Sequence, residues 1–92
     1  MSVIKRWVIV RPDNSIDLVD HQDSLDWMQA QVGGYIELIH VVWKGKKRKA
    51  YVDEEGRLKG LKHNVMASAL YGHAICGSLL IDDGVCAVGG RL

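Results

Sequence analysis

The chain has no phenylalanine, one proline and two cysteines among its 92 residues. Without phenylalanine, core bulk must come from aliphatic side chains and from Trp7, Trp27, Trp43, Tyr35, Tyr51 and Tyr71, so most of these rings are expected inside the fold. The proline, Pro12, falls in Arg-Pro-Asp-Asn-Ser, which is tight-turn chemistry. Cys76 and Cys86 stand ten apart without a companion metal-ligand pattern and read as small buried thiols of a reducing compartment. Adding His63 and His73 makes no zinc site, because positions 73 and 76 of a strand point to opposite faces. No metal and no cofactor is expected.

Long apolar runs are missing too. Nothing approaches the roughly 18 apolar residues of a membrane span, and Lys5 and Arg6 break the opening stretch that a signal peptide would keep apolar. The expectation is a cytoplasmic protein with no membrane partner. Twelve Lys plus Arg against eleven Asp plus Glu leave a net charge of +1, so no whole-molecule field favours nucleic acid. An electrostatic partner has to be met by a local patch.

What is present is globular: 48% hydrophobic and 25% charged residues, with neither repeat nor linker, hence one domain over residues 1–92. Residues 3–10 and 15–20 read as a hairpin around the proline turn. Leu25, Met28 and Val32 fall at helical spacing between Asp23 or Ser24 as cap and Gly33 as stop, so 24–32 reads as a helix. Residues 35–43 are the strongest strand, apolar on both alternations, which predicts a central strand covered by a helix on one face and a second subunit on the other. Residues 50–53 return as its partner. Asn64 caps a short helix over 65–71 that Gly72 stops, and residues 73–81 and 85–88 read as a last strand pair around an Asp-Gly turn. The fold class is α+β, in the order ββαββαββ, with a mixed or antiparallel sheet of five to six strands and two helices on one side.

At Val-Gly-Gly-Tyr-Ile-Glu-Leu (32–38), residues 52–70 and Ile-Cys-Gly-Ser-Leu-Leu-Ile (75–81), the chain resembles small phage and plasmid proteins grouped as domain of unknown function 3846. The matching positions are Gly33, Gly34, Tyr35, Glu37, Glu55, Gly56, Leu58, Leu61, Asn64, Ala67 and Gly77; the first hairpin and the tail from 82 match loosely. The resemblance implies a mobile-element accessory protein inside a bacterium and carries no activity with it. By analogy of class, such a protein blunts host defence by sequestering a nucleotide signal or by covering a host protein.

Lys44, Lys46, Lys47, Arg48 and Lys49 put five cations into six positions around Gly45. Ammonium groups and a guanidinium fork suit phosphate oxygens, and the same run also suits a solvated hairpin tip. The expected site of a non-catalytic, phosphate-binding protein is Trp43, Lys44, Lys46, Lys47 and Arg48 together with Arg57, Lys59, Lys62 and Asn64 from the following loop. The alternative is a module that binds a host protein through an exposed sheet face or edge. Direct nucleic-acid binding is the weakest reading, and Ser68, His73 and the carboxylates at 53–55 offer no catalytic arrangement.

Overall fold

In the computed structural model, which describes residues 3–88, two hairpins are joined by a strand that enters the sheet last. The first hairpin is β1 (Val3–Val10) and β2 (Ile16–Gln22); the second is β3 (Ile36–Trp43) and β4 (Lys46–Asp53). Helix α1 (Leu25–Val32) connects them, and α2 (Val65–Tyr71) leads into β5 (Leu79–Val88). The five-stranded sheet is antiparallel between all neighbours, in the order β2-β1-β5-β4-β3.

Three expectations are corrected. The last segment forms one strand, so the described residues hold five strands. Asp82-Asp83-Gly84 is not a turn: β5 runs through it, and between Trp7 and Lys5 it advances from Asp82 to Val85, one residue more than β1. Gly84 at φ 92° takes the bulge conformation, while Asp82 Oδ1 accepts its N–H at 2.9 Å. The Asp-Gly signal was real, but it bends a strand here instead of reversing it.

The helices also do not share a side. Met28 and Val32 of α1 pack with Trp7, Ile9 and Leu80, whereas Ala67 of α2 packs with Val8, Val10, Ala50, Leu79 and Ile81. Neighbours along β1 and β5 point to opposite faces, so each helix covers one face of the sheet. Finally, the apolar strand 36–43 is at an edge. The central position belongs to β5, whose Leu79, Leu80 and Ile81 are fully buried on both alternations, as are the neighbouring Trp7 to Val10 apart from 2% at Ile9.

The tryptophans behave as the absence of phenylalanine requires. Trp7 is fully buried and donates Nε1–H to the His21 carbonyl at 3.2 Å; Trp27 lies 5.5 Å from it and stacks on His21 at 4.3 Å. Tyr35 is the exception, 70% exposed.

The segment between β4 and β5 has little regular structure apart from α2, and Asn64 ties it down. Its side chain is fully buried. Oδ1 accepts the Ala67 N–H at 3.0 Å as a helix cap, and the two Nδ2 hydrogens go to the carbonyls of Val10 and Gly77, both at 2.9 Å. Asn64→Ala removes a cap and strands two buried carbonyls, a loss of about 3–5 kcal/mol in a domain class holding roughly 5–15 kcal/mol. Asn64→Asp should cost no less, since a carboxylate keeps the cap but sets oxygen against both carbonyls. Urea midpoints of the two variants check this, and an Asn64→Asp protein as stable as wild type would refute it.

Candidate functional site

The expected cationic site is divided by the fold. Lys44 and Gly45, at φ 51° and 78°, form a two-residue turn with both residues left-handed, the geometry that matches strand twist in a tight hairpin. The cations that follow then alternate. Lys46 and Arg48 share the α2 face with Trp43 and Val41, their register partners, while Lys47 and Lys49 point to the α1 face. Arg57, Lys59 and Lys62 lie past the other end of β4, and seven strand steps separate Lys46 from Asp53 by roughly 23 Å. One chain therefore does not bring the two groups of cations together.

Several of these residues are already engaged. The Lys44 ammonium lies 5.8 Å from the Trp43 ring centre, and Arg48 Nε is 3.7 Å from Asp83 Oδ1, a distance of ionic contact and not of a hydrogen bond. Arg48 Nε and Trp43 Nε1 are buried without a hydrogen-bond partner. Lys47 and Lys62 are exposed. Asn64 faces inward and has no amide hydrogen left for a ligand.

Lys59 closes a structural contact. Its ammonium donates to Asp53 Oδ2 at 2.7 Å and to the Gly33 carbonyl at 3.2 Å, while Asp53 Oδ1 accepts the Glu55 N–H at 2.8 Å. This explains the second of the paired glycines. Gly33 stops α1, and a Cβ on Gly34 would sit 2.5 Å from Lys59 Nζ and 3.1 Å from Asp53 Oδ2, so glycine leaves room for the ion pair.

Between the start of β3 and the α2 segment lies a cleft of about 140 Å³. Ile39, Val52 and Ile75 give it apolar walls; Glu37, Glu54 and Arg57 stand among its polar lining, with Tyr71 and Cys76 opposite. Gly56 makes the closure possible, because a Cβ there would lie 2.5 Å from the Cys76 carbonyl. Cys76 is half-buried rather than enclosed, and the side chain of Cys86 lies outside the described part. Of the expected contacts only Arg57 lines this cleft. Glu37 was the available signal for it, as the one acidic residue in a strand that only His40 otherwise interrupts. Among the described residues no three His, Cys, Asp or Glu side chains gather to hold a metal, and no helix is long and apolar enough to cross a membrane.

The edge of β3 adjoins the cleft. The Glu54 N–H donates to the Tyr35 carbonyl at 3.0 Å, so, by alternation, Ile36, Leu38, His40 and Val42 turn their backbone N–H and C=O groups away from β4. Among the described residues no strand pairs with that side. The β3–β4 register runs unbroken through eight pairs, with no bulge and no proline to blunt the edge. At the other edge, β2 exposes Ile16 and Leu18 but also carries Asp17 and Asp20, paired with Arg11 and Arg6. On the α1 face Leu38 and Val42 are 50% and 56% exposed.

A family profile described as Domain of unknown function (DUF3846) matches residues 4–86. The chain belongs to the DUF3846 family. The DUF3846 match takes in the first hairpin and β5 up to residue 86, including the parts that the motif-level resemblance carried loosely. No curated protein and no solved structure matches this DUF3846 chain.

The Asp53–Lys59 pair sets a pH dependence. Burial raises the Asp53 carboxyl, but the Lys59 hydrogen bond, the Glu55 amide and the Lys59 charge outweigh it, and the net direction is downward. Lys59 is raised, mainly by its hydrogen bond to Asp53. Asp53 thus stabilises the fold above its unfolded value of about 4 and ceases to as pH falls through its lower folded value. Lys59 contributes below about 10.4 and ceases to as pH rises through its higher folded value. Asp53→Asn should lower the urea midpoint at neutral pH and flatten its decline in acid; an unchanged acid limb would remove Asp53 from the account.

Proposed function

We propose that this DUF3846 domain is a non-catalytic protein-interaction module that takes up an extended strand along the free edge of β3. The observation that carries the reading is the edge itself. Four residues present outward backbone donors and acceptors in unbroken register beside exposed Leu38 and Val42, the arrangement used when a peptide adds to a sheet. The cleft supports the same reading by its size. At about 140 Å³ it is well below the roughly 300–1,000 Å³ of small-molecule sites. That volume suits one side chain of the bound strand, apolar along its length, with Glu37 or Glu54 to meet a polar or basic end.

A random-peptide display against the full chain, followed by an amide-resolved NMR titration of an enriched peptide, tests this. Shifts should concentrate on residues 36–43, and His40→Pro should abolish binding, because it removes an outward N–H without breaking a bond to β4. Shifts centred elsewhere would sink the proposal.

One observation favours a second reading, in which the hairpin tip holds a phosphate-bearing small ligand such as a defence signalling nucleotide. Two buried N–H groups without partners, Trp43 Nε1 and Arg48 Nε, lie on one sheet face with the exposed Lys46. Unpaired buried donors are uncommon in folded proteins. Native mass spectrometry of protein gently purified from bacteria should then show a bound phosphate-bearing mass that the Lys46→Glu, Arg48→Glu double variant loses. Retention of that mass by the folded double variant would place the ligand elsewhere.

A further inference from the structure

We infer that the strand taken up by β3 is β3 of a second copy of this chain, paired antiparallel about a two-fold axis beside His40. The inference rests on the edge reading above and names its occupant. Three features of β3 are self-complementary under that rotation.

The first is the direction of the backbone groups. Ile36, Leu38, His40 and Val42 face outward, and a two-fold axis at His40 sets Leu38 opposite Val42 and His40 opposite itself, so donors meet acceptors from Leu38 through Val42, while Ile36 falls opposite the turn residue Lys44. The second is apolar matching. In this register the exposed Leu38 stands opposite Val42 of the second copy, and Val42 opposite its Leu38; on the other face Ile39 meets Val41. Each molecule thereby covers the two apolar side chains that the other leaves half exposed.

Charge polarity is the third feature. The start of β3 carries Glu37 on the strand and Glu54 and Glu55 just beyond Asp53, the register partner of Ile36, with Arg57 and the Asp53-bound Lys59 close by; the far end of the hairpin carries Lys44, Lys46 and Lys47 and no carboxylate of β3 or β4. Parallel docking would set one cationic tip against the other, whereas the antiparallel two-fold sets each tip against the end that holds the carboxylates. Glu37 falls opposite Trp43 of the second copy, whose register partner is Lys46, so that lysine's strand is about two strand spacings, roughly 10 Å, away.

A consequence follows for the cleft. Glu37 and Arg57 both line it, and the second copy's hairpin tip arrives at the same edge on the same sheet face. The cationic tip of one copy thus comes toward the Glu37 and Glu54 carboxylates that line the cleft of the other, and the dimer carries two equivalent composite clefts.

Sedimentation equilibrium of the full chain over a range of concentrations tests the inference. Wild type should dimerise, and Leu38→Lys with Val42→Lys should shift it to monomer while circular dichroism stays native; His40→Pro should do the same. In a separate arm, His40→Cys should form a disulfide-linked dimer under mild oxidation that wild type does not form. The two residues at 40 face each other as a hydrogen-bonded pair with Cα atoms about 5.5 Å apart, within the roughly 4.4–6.8 Å that a disulfide spans. A monomer at every concentration overturns the inference; if displayed peptides still bind residues 36–43, the edge reading stands without it. A dimer that survives the edge variants and gives no cross-link at 40 also overturns the inference and moves the contact to another face.

Discussion

The amide of Asn64 is the interaction on which the cleft beside β3 depends. One enclosed side chain caps α2, holds the end of β1 through the Val10 carbonyl and holds the approach to β5 through the Gly77 carbonyl. Its own N–H donates to the Ile75 carbonyl at 2.8 Å. An enclosed amide is costly unless every donor is used, and here both Nδ2 hydrogens and the main-chain N–H are used. The stretch between α2 and β5, which has almost no ladder of its own, therefore takes one course. That course places Ile75 and Cys76 as a wall of the cleft beside β3.

The need for such a tie follows from the sheet. The two hairpins are internally well paired, but β5 meets β4 through only two register pairs, Ala50 with Ile81 and Tyr51 with Leu80. Burial on both faces compensates, with α1 and its tryptophan cluster on one side and α2 on the other. Placing β5 in the middle leaves both hairpins with an outer edge. Both edges are regular and both expose apolar side chains, Ile16 and Leu18 on β2 and Leu38 and Val42 on β3; the edge of β2 also carries aspartates in ion pairs, and the edge of β3 adjoins the cleft. The ion pairs on one edge and the cleft beside the other are the physical ground for proposing a binding role for β3.

Local signals were read well where one residue type determines a backbone state. Ser24 and Asn64 cap the helices that they precede, Gly33 and Gly72 stop them with left-handed φ, and Gly45 completes the basic turn. The same kind of signal misled at Asp82-Asp83-Gly84, because a positive-φ glycine serves a bulge as well as a turn and only the neighbouring strand distinguishes them. The strand 36–43 misled for a related reason. Apolar residues on both alternations suit a strand buried on two faces, and they suit equally an edge strand whose second face is kept for a partner.

By itself the sequence determined most of the element types and boundaries, though not that β4 begins at Lys46 or that β5 begins only at Leu79, and it determined the family membership that its glycines and Asn64 mark and the clustering of cations at and just after one turn. These depend on residues near one another along the chain, where backbone preference and side-chain capping act directly. Only the tertiary structure decided that the helices take opposite faces, that β5 is central, that Lys59 is occupied by Asp53 and Gly33, and that the cations of one chain stand apart at the two ends of β4. Those outcomes depend on strand order. It is chosen by how two apolar faces are buried together, a property of the assembled sheet that no local stretch contains.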